Sequence, residues 1–447
     1  MEEPCAREVD EKGPTVSGEE AAEEVTPANG RSLGRRLARA FVALALLLVL
    51  GGLGYAVFLR LSWDRQLALS VERFEQRVGS LDPASYAPAP VPAEENFALV
   101  ARDVAARLDT DSVRPVLDAL GGRSPGEWSA VELARLEELL AAHQDSLAAL
   151  DAAVDLERSN LGLRYAADFQ DQELDLLLWI RLARLQRLRA GVARRAGDCG
   201  GELLALRVAG RIASVPAREP TVVHGMLAEA AARLFLEGAR DLVGEATCFD
   251  ESGQRTLLEV TEHLARAQVA HRWRMGFEAA LLVASTRDVE RSWKESWAGP
   301  NGWGMVSQAI DVFAQLAQAA SGPRPAGGHA RAIFEGRELA PRETLAWIVG
   351  PNFAHGIDRW RRLEAQLALA RVALDSPTIP PPGETVELPV RSAYAGDPAT
   401  VERAGSDLLR VTFDGSLEQW RQEQEEACPG CERPEPVLEW WVPFAEK

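Results

Sequence analysis

Two cysteines near the end of the chain, Cys428 and Cys431, have the Cys-x-x-Cys spacing of thiol oxidoreductases and zinc sites. A reactive thiol needs a low pKa, which a helix N-terminus or neighbouring cations provide. The residues around this pair are instead acidic and disfavour the thiolate: Glu423, Glu425, Glu426 and Glu432. The central Pro-Gly suits a type II turn, whose end Cα atoms lie within about 7 Å and so permit a disulfide. We therefore predict a structural disulfide, with a redox pair and a zinc site as alternatives.

The other cysteines bear on the same choice. Cys199 and Cys248 lie, with Cys428 and Cys431, in the long part of the chain that follows an apolar segment. An even number of cysteines in an oxidising compartment fits a set of disulfides. We favour the pairs Cys428–Cys431 and Cys199–Cys248, because the second would join two helix ends. A zinc site built from all of them would need a second close pair, which Cys199 and Cys248 do not form in sequence.

Histidine and carboxylate residues form no metal-binding or catalytic motif in the sequence. Glu259 and His263 are one helical turn apart, whereas His271 and Glu278 share a helix face about 10 Å apart along the axis. The sequence contains no His-Glu-x-x-His, no Gly-x-Ser-x-Gly and no Walker loop. We predict neither a metal nor another cofactor.

A tryptophan-rich stretch, RSWKESWAGPNGWGM at residues 291–305, is a further candidate. Trp293, Trp297 and Trp303 lie there among Gly, Pro and Asn residues. Aromatic faces in a loop stack on sugar rings or hold a peptide, but large aromatic side chains also fill helical cores. We favour core filling, and we keep ligand contact by these tryptophans and Glu278 as the alternative.

The net charge of the chain argues against one class of partner, nucleic acid. The chain of 447 residues carries a formal net charge of −18. Binding to the phosphate backbone of nucleic acid needs a basic surface, so the sequence predicts no nucleic-acid partner. Apolar residues make up 47% of the chain, which is ordinary for a protein that buries a core.

A membrane-spanning helix is the clearest element of the sequence. No residue from Ala40 to Leu59 is charged. At a rise of about 1.5 Å per residue this segment covers roughly 30 Å, the thickness of the hydrocarbon core of a bilayer. A cleaved signal peptide would have a shorter apolar region followed by small residues, whereas Phe58, Leu59 and Arg60 stand here. We therefore predict that residues 40–59 cross the lipid bilayer as a retained anchor.

Basic residues set the predicted orientation of this anchor. A group of arginines precedes the span: Arg31, Arg35, Arg36 and Arg39. Arg60 and Arg65 follow it closely, so the positive-inside bias is modest and favours a cytoplasmic N-terminus. Residues 1–39 would form a disordered, acidic cytoplasmic tail with a basic juxtamembrane end. The rest would lie in the periplasm or outside the cell, attached to the inner (plasma) membrane of what the Arg- and Ala-rich composition suggests is a bacterium.

The part after the span is predicted to be mainly α-helical. Residues 60–92 are typical of a helical stalk followed by a Pro/Ala linker. Residues 93–375 show helical patterns with short breaks, which predict a domain of stacked helical hairpins. Residues 376–447 contain TVELPV, DLLRVTFDG and VLEWWVPF, whose β-branched and aromatic residues predict a small β-containing subdomain.

One helical hairpin is predicted in more detail. Ser129 and Glu132 form a capping box, and apolar residues then alternate at spacings of three and four as far as Val154. This seam is expected to pack antiparallel against a second helix at residues 173–195. The arginines of that helix form either a charged flank of the hairpin, which we favour, or an anion or lipid headgroup site: Arg184, Arg187, Arg194 and Arg195.

These features favour a single-pass cell-envelope protein whose exported domain binds or organises other envelope proteins. The first alternative is an envelope hydrolase that acts on a polymer, with Glu278 among its carboxylates and the tryptophans holding substrate. A thiol oxidoreductase that uses Cys428 and Cys431 is the second alternative.

Overall fold

The computed structural model describes residues 30–108, 110–166, 168–169, 172, 175–244, 249–293, 299–321, 344–375, 379–404, 408–427 and 436–443. The chain divides into two compact units, residues 1–60 and residues 61–447. The fold is mainly helical with a small antiparallel sheet, which confirms the predicted fold class at this level.

The first helix, α1, runs from Gly30 to Arg77 and contains the predicted span. Its apolar side chains are exposed, for example Phe41 at 74% and Leu47 at 68%. The segment from Arg39 is long and apolar enough to cross a membrane, with a mean hydropathy of 2.5 over a window of which no part is buried. A core helix would bury such a surface, so this exposure is what a lipid-facing helix requires. The helix begins at Gly30, inside the segment predicted to be a disordered tail.

Eleven further α-helices of the described residues precede the sheet. They are α2 (Phe97–Arg107), α3 (Thr110–Leu120), α4 (Ala130–Ala142), α5 (Gln144–Ala153), α6 (Leu178–Arg195), α7 (Cys199–Ala217), α8 (Val222–Gly244), α9 (Glu251–Ala267), α10 (His271–Trp293), α11 (Gly299–Ser321) and α12 (Thr344–Leu374). Helices α6, α7 and α8 pack side by side, α9 contacts α7 and α12, and α12 also contacts α8. Helix α10 packs on α11, which contacts α12. The centre of the unit is therefore formed by α7 and α8.

Small residues allow α7 and α8 to approach each other closely. Ala209 of α7 and Ala232 of α8 are fully buried in the main core cluster. A Cβ atom added at Gly238 would lie 2.6 Å from the Leu206 side chain, well inside van der Waals contact. Close packing of this kind gives the junction between the two helices a fixed geometry.

The apolar seam predicted from the Ser129–Glu132 capping box as far as Val154 lies on two helices in the structure. The capping box is confirmed, since the Glu132 N–H donates to Ser129 Oγ at 3.3 Å and the Ser129 N–H donates to Glu132 Oε2 at 2.8 Å. The helix then breaks at His143, which separates α4 from α5. Leu136 and Leu147 nevertheless share one cluster with Leu185 and Leu188 of α6, so part of the predicted seam does meet the second helix. That second helix begins at Leu178, later than predicted.

Residues 78–96, which include the predicted Pro/Ala linker, pack against the helical domain. They contain two short 3₁₀ helices, Pro83–Tyr86 and Ala93–Glu95. The Tyr86 ring is buried edge-on against Trp273 and Phe277, with centroid distances of 5.2 and 6.2 Å. Its hydroxyl donates to the Ser80 carbonyl at 2.6 Å. Burial of the Tyr86 ring stabilises the packed arrangement of this Pro-rich segment over an extended one. The composition of the segment alone did not predict this contact.

The sheet is antiparallel and has the strand order β1 (Thr385–Arg391), β2 (Pro398–Arg403), β3 (Leu408–Thr412) and β4 (Glu439–Pro443). Strands β1, β3 and β4 fall on the three segments predicted as strands, while β2 and the helix α13 (Asp414–Ala427) were not predicted. The buried side chains of Val401, Leu409 and Trp440 belong to the same core cluster as α7 and α8. The sheet therefore extends the helical core, whereas the sequence predicted a subdomain of its own.

Candidate functional site

Glu278, the carboxylate singled out in the sequence, lies on α10 and faces the start of α8. Its Oε1 accepts a hydrogen bond from the Val222 N–H at 2.9 Å. Val222 is the first residue of α8, so its N–H has no partner within its own helix. A carboxylate also suits the positive end of the helix dipole. Glu278 therefore caps α8 from a neighbouring helix.

Arg274 lies one turn before Glu278 on α10 and binds the C-terminal end of α7. It is 1% exposed and donates hydrogen bonds to the carbonyls of Ala217, Glu219 and Thr221 at 2.7, 2.6 and 2.8 Å. Ala217 ends α7, where carbonyl groups lack helical partners. Burial lowers the pKa of Arg274 to about 10, against the opposing effect of Glu219 and Glu278, so this side chain is a cation at neutral pH.

Glu219 lies in the turn between α7 and α8 and is fully buried. Its Oε1 accepts from the Leu161 N–H at 3.2 Å, and its Oε2 accepts from the Tyr165 hydroxyl. Burial raises the pKa of Glu219 to about 7, although the Leu161 N–H and Arg274 oppose the shift. Burial likewise raises the pKa of Glu278 to about 7, against its Val222 hydrogen bond and Arg274. Both carboxyl groups therefore change charge near neutral pH.

Aromatic and histidine side chains close the same region. The Arg274 guanidinium lies 5.5 Å from the Trp360 ring centroid, and His271 stacks on that ring at 5.1 Å. A Cβ atom at Gly225 would lie 2.7 Å from Trp360 Nε1 and 2.9 Å from Arg274 Nη1, so a glycine is required there. His224 shares a 2.6 Å hydrogen bond with Thr221 Oγ1, and burial together with Arg274 lowers its pKa to about 4.

We call Glu219, Thr221, His224, Arg274 and Glu278 the junction cluster. Acid–base catalysis uses the same residue types, but it also needs access for a substrate. Here the polar groups bind helix ends, and the described cavities beside Leu178 and beside Arg272 are lined by other residues. The chemistry that this geometry supports is the joining of α7, α8 and α10.

The predicted role of the tryptophans, core filling or ligand contact together with Glu278, remains a prediction. Trp297 lies outside the described residues, as do the side chains of Trp293 on α10 and Trp303 on α11. The arginines Arg31, Arg35 and Arg36 of the predicted orientation signal lie on α1, but their side chains are also outside the described part, whereas Arg39 is exposed.

Of the cysteines predicted to form disulfides, Cys199 lies among the described residues, where it is the exposed first residue of α7. Its predicted partner Cys248 and the predicted pair Cys428–Cys431 lie outside the described residues. The pairing of the cysteines therefore stays a prediction.

The arginines of α6 have partners within the protein. Arg187 pairs with Glu237 of α8 at 3.0 Å, and Arg194 pairs with Glu202 of α7 at 2.5 Å. Arg195 donates to the Pro125 and Trp128 carbonyls at 2.9 and 3.1 Å. These contacts support a structural role. The acidic partners of Arg187 and Arg194 lie on the following helices, whereas Arg189 pairs with Asp151 of the preceding helix α5 at 2.6 Å, as the predicted hairpin requires.

Sequence reasoning found Glu278 but missed Arg274 and Glu219. Pro216 and Pro220 mark the turn between α7 and α8, which is the only local signal. The bond from Arg274 to the Glu219 carbonyl joins residues 55 positions apart, and no spacing rule covers such a contact. Among the described residues, no group of three or more His, Cys, Asp or Glu side chains is arranged to hold a metal ion.

Comparison with known proteins returned no matching family, no matching curated protein and no matching solved structure.

Proposed function

We propose that this protein is a single-pass membrane protein of the cell envelope whose helical domain is exported and binds other envelope proteins. One observation carries the proposal. The apolar part of α1 has side chains that are exposed along its whole length, which is unfavourable in water and favourable in lipid. The remaining helices bury their apolar faces in cores of their own.

Binding is favoured over catalysis by the way the polar side chains are used. The titratable groups of the junction cluster bind helix ends. The ion pairs of Arg187 and Arg194 join α6 to α8 and α7. A scaffold needs such a rigid body, because a rigid surface loses little entropy when a partner binds. The arginine distribution around the span supports a cytoplasmic N-terminus and an exported domain.

A pair of C-terminal reporter fusions tests the topology. An alkaline phosphatase fused after Lys447 should be active and a fluorescent protein that folds only in the cytoplasm should be dark. The opposite pattern would place the helical domain in the cytoplasm and would refute the export part of the proposal.

Chemical crosslinking in intact membranes tests the binding function. The full chain and a variant whose residues 40–59 are replaced by an unrelated membrane span should capture the same partners, because the exported domain selects them. Partners that disappear with the native span would show that α1, and not the domain, carries recognition.

A further inference from the structure

Two arginines and a histidine converge on the surface where α7 ends, and we call Arg211, Arg218 and His263 the basic triad. Arg211 Nη1 lies 2.9 Å from Nδ1 and 2.5 Å from Nε2 of His263, while Arg218 Nη2 lies 3.5 Å from the same Nε2. The two guanidinium groups therefore contact one ring nitrogen. Each of the three side chains is partly exposed, so solvent reaches the triad.

No described carboxylate forms an ion pair with the triad, although the charge of Glu157 opposes the effect of burial, which lowers the pKa of Arg211 and Arg218. Arg211 donates to the Val154 carbonyl at 3.0 Å and Arg218 to the Glu157 carbonyl at 3.1 Å, but neither forms an ion pair with a described carboxylate. Arg211 Nη2 and Arg218 Nη1 have no described acceptor, and Arg218 Nε is buried without one. Other arginines nearby do have such pairs: Arg207 contacts Asp155 at 2.6 Å.

Cations that are partly withdrawn from water and close together repel each other unless an anion lies between them. This arrangement is unusual in a chain of net charge −18, which has more acidic than basic residues with which to pair. Guanidinium forks match the oxygens of phosphate, and a pair of guanidinium charges balances a phosphate dianion. The neutral imidazole supplies a further hydrogen bond to the same group.

We propose that Arg211, Arg218 and His263 form a binding site for a phosphate group. The phosphate is either free, as inorganic phosphate or a small phosphate monoester, or it belongs to a lipid headgroup. The site depends on these side chains and on their geometry, and it does not rest on the proposed envelope function.

The first test measures phosphate binding to the full-length chain in detergent, by thermal unfolding and calorimetric titration at pH 7.5 with ionic strength held constant with sodium chloride. Inorganic phosphate should raise the unfolding midpoint of the native chain. Arg211→Gln and Arg218→Gln should each weaken binding by about tenfold to a hundredfold, the effect of losing a charge-assisted hydrogen bond. Arg207→Gln is the matched control, since Arg207 lies one turn earlier on α7 and has its own carboxylate.

The second readout is the protonation of His263, followed by NMR of selectively labelled imidazole. Burial, Arg211, Arg218 and Arg266 lower the pKa of His263 to about 3. Burial also lowers the pKa of Arg211, and the carboxylates Glu157 and Asp155 oppose that shift. Bound phosphate should raise the pKa of His263, because it neutralises the neighbouring charge. Arginines that only bind the Val154 and Glu157 carbonyls would leave this pKa unchanged when phosphate is added.

Two further experiments distinguish a free phosphate from a lipid headgroup and test whether Glu157 competes with the phosphate. Binding of glycerol phosphate supports a free ligand, whereas a response confined to nanodiscs that contain phosphatidic acid, and absent from phosphatidylcholine nanodiscs, supports a lipid headgroup. Glu157→Gln should strengthen phosphate binding, since it removes a carboxylate whose charge acts on both arginines. The proposal fails if neither inorganic phosphate, glycerol phosphate nor phosphatidic acid shifts the native chain, or if the Arg211 and Arg218 variants respond as the native chain does.

Discussion

Two clusters of charge lie at the C-terminal end of α7, and they differ in how their arginines are neutralised. In the junction cluster, Arg274 is buried, binds three carbonyl groups and has Glu219 and Glu278 close by. In the basic triad, Arg211 and Arg218 share a neutral histidine and have no described carboxylate partner. A buried charge that lacks compensation is costly, so the first arrangement stabilises the fold and the second favours an external anion.

The comparison also explains the exposure of the two clusters. Arg274 is inaccessible and its donors are used, which leaves no position for a ligand. The triad lies at the surface and keeps unused donors on both guanidinium groups. The same residue type therefore has a structural role in one cluster and a proposed binding role in the other.

The largest effect is expected for Arg274→Ala. The substitution leaves carbonyls of Ala217, Glu219 and Thr221 without a donor and removes the cation beside the buried Glu219 and the partly buried Glu278. Loss of one partner from a buried charged network costs about 3–5 kcal/mol in the free energy of unfolding. Urea unfolding of the full chain in detergent, followed by tryptophan fluorescence, measures this.

Arg272→Ala is the control for that experiment, because Arg272 lies on the same helix and is exposed. Its effect should stay within about 0.5 kcal/mol. Equal effects of the two substitutions would mean that the junction cluster does not hold α7, α8 and α10 together.

A smaller, pH-dependent effect is expected for Glu278→Gln. The pKa of Glu278 rises from 4.5 to about 7 in the folded chain, so its contribution to stability is present below pH 4.5 and is lost as the pH rises through 7. A glutamine keeps an oxygen for the Val222 N–H but has no charge to bury. As the pH rises from 5 to 8, the free energy of unfolding of the variant should increase relative to that of the native chain by up to about 3 kcal/mol.

Unfolding midpoints of the native chain and the variant across that pH range test the sign of this effect. Glu259→Gln, at an exposed position of α9, is the control and should show no such trend. A variant that loses stability as the pH rises would show that Glu278 acts as a charged partner of Arg274 and not as a buried neutral acid.

The sequence predicted the local features of this fold and missed those that depend on distant contacts. The uncharged segment at residues 40–59 and the Ser129–Glu132 capping box are local, and the structure has an apolar helix and a capping box there. Strand β2 was missed because PATVER is short and begins with proline, whose missing N–H argues against a strand. The His143 break was missed because the apolar spacing continues through it.

The candidate sites depend even more on contacts between residues that are distant in sequence. Glu278 was recognised as a carboxylate, but its role follows from its bond to Val222, 56 positions away. Arg211 and His263 are 52 positions apart, and neither is remarkable within its own helix. Pairing of charges is decided by helix packing, so a single sequence shows how many charges exist but not which ones lack a partner.

The smallest effect is expected for Arg211→Gln in the absence of phosphate. The substitution removes a hydrogen bond to the Val154 carbonyl, which costs about 1 kcal/mol, but it also removes the repulsion between Arg211 and Arg218. These changes oppose each other, so the free energy of unfolding should change by less than about 1 kcal/mol. The pKa of His263 should rise at the same time, because Arg211 is one of the charges that lower it. Urea unfolding and imidazole NMR of the same sample measure both quantities. A loss of stability as large as that of Arg274→Ala would show that the triad holds helices together in the same way as the junction cluster, and the contrast between the two would be wrong.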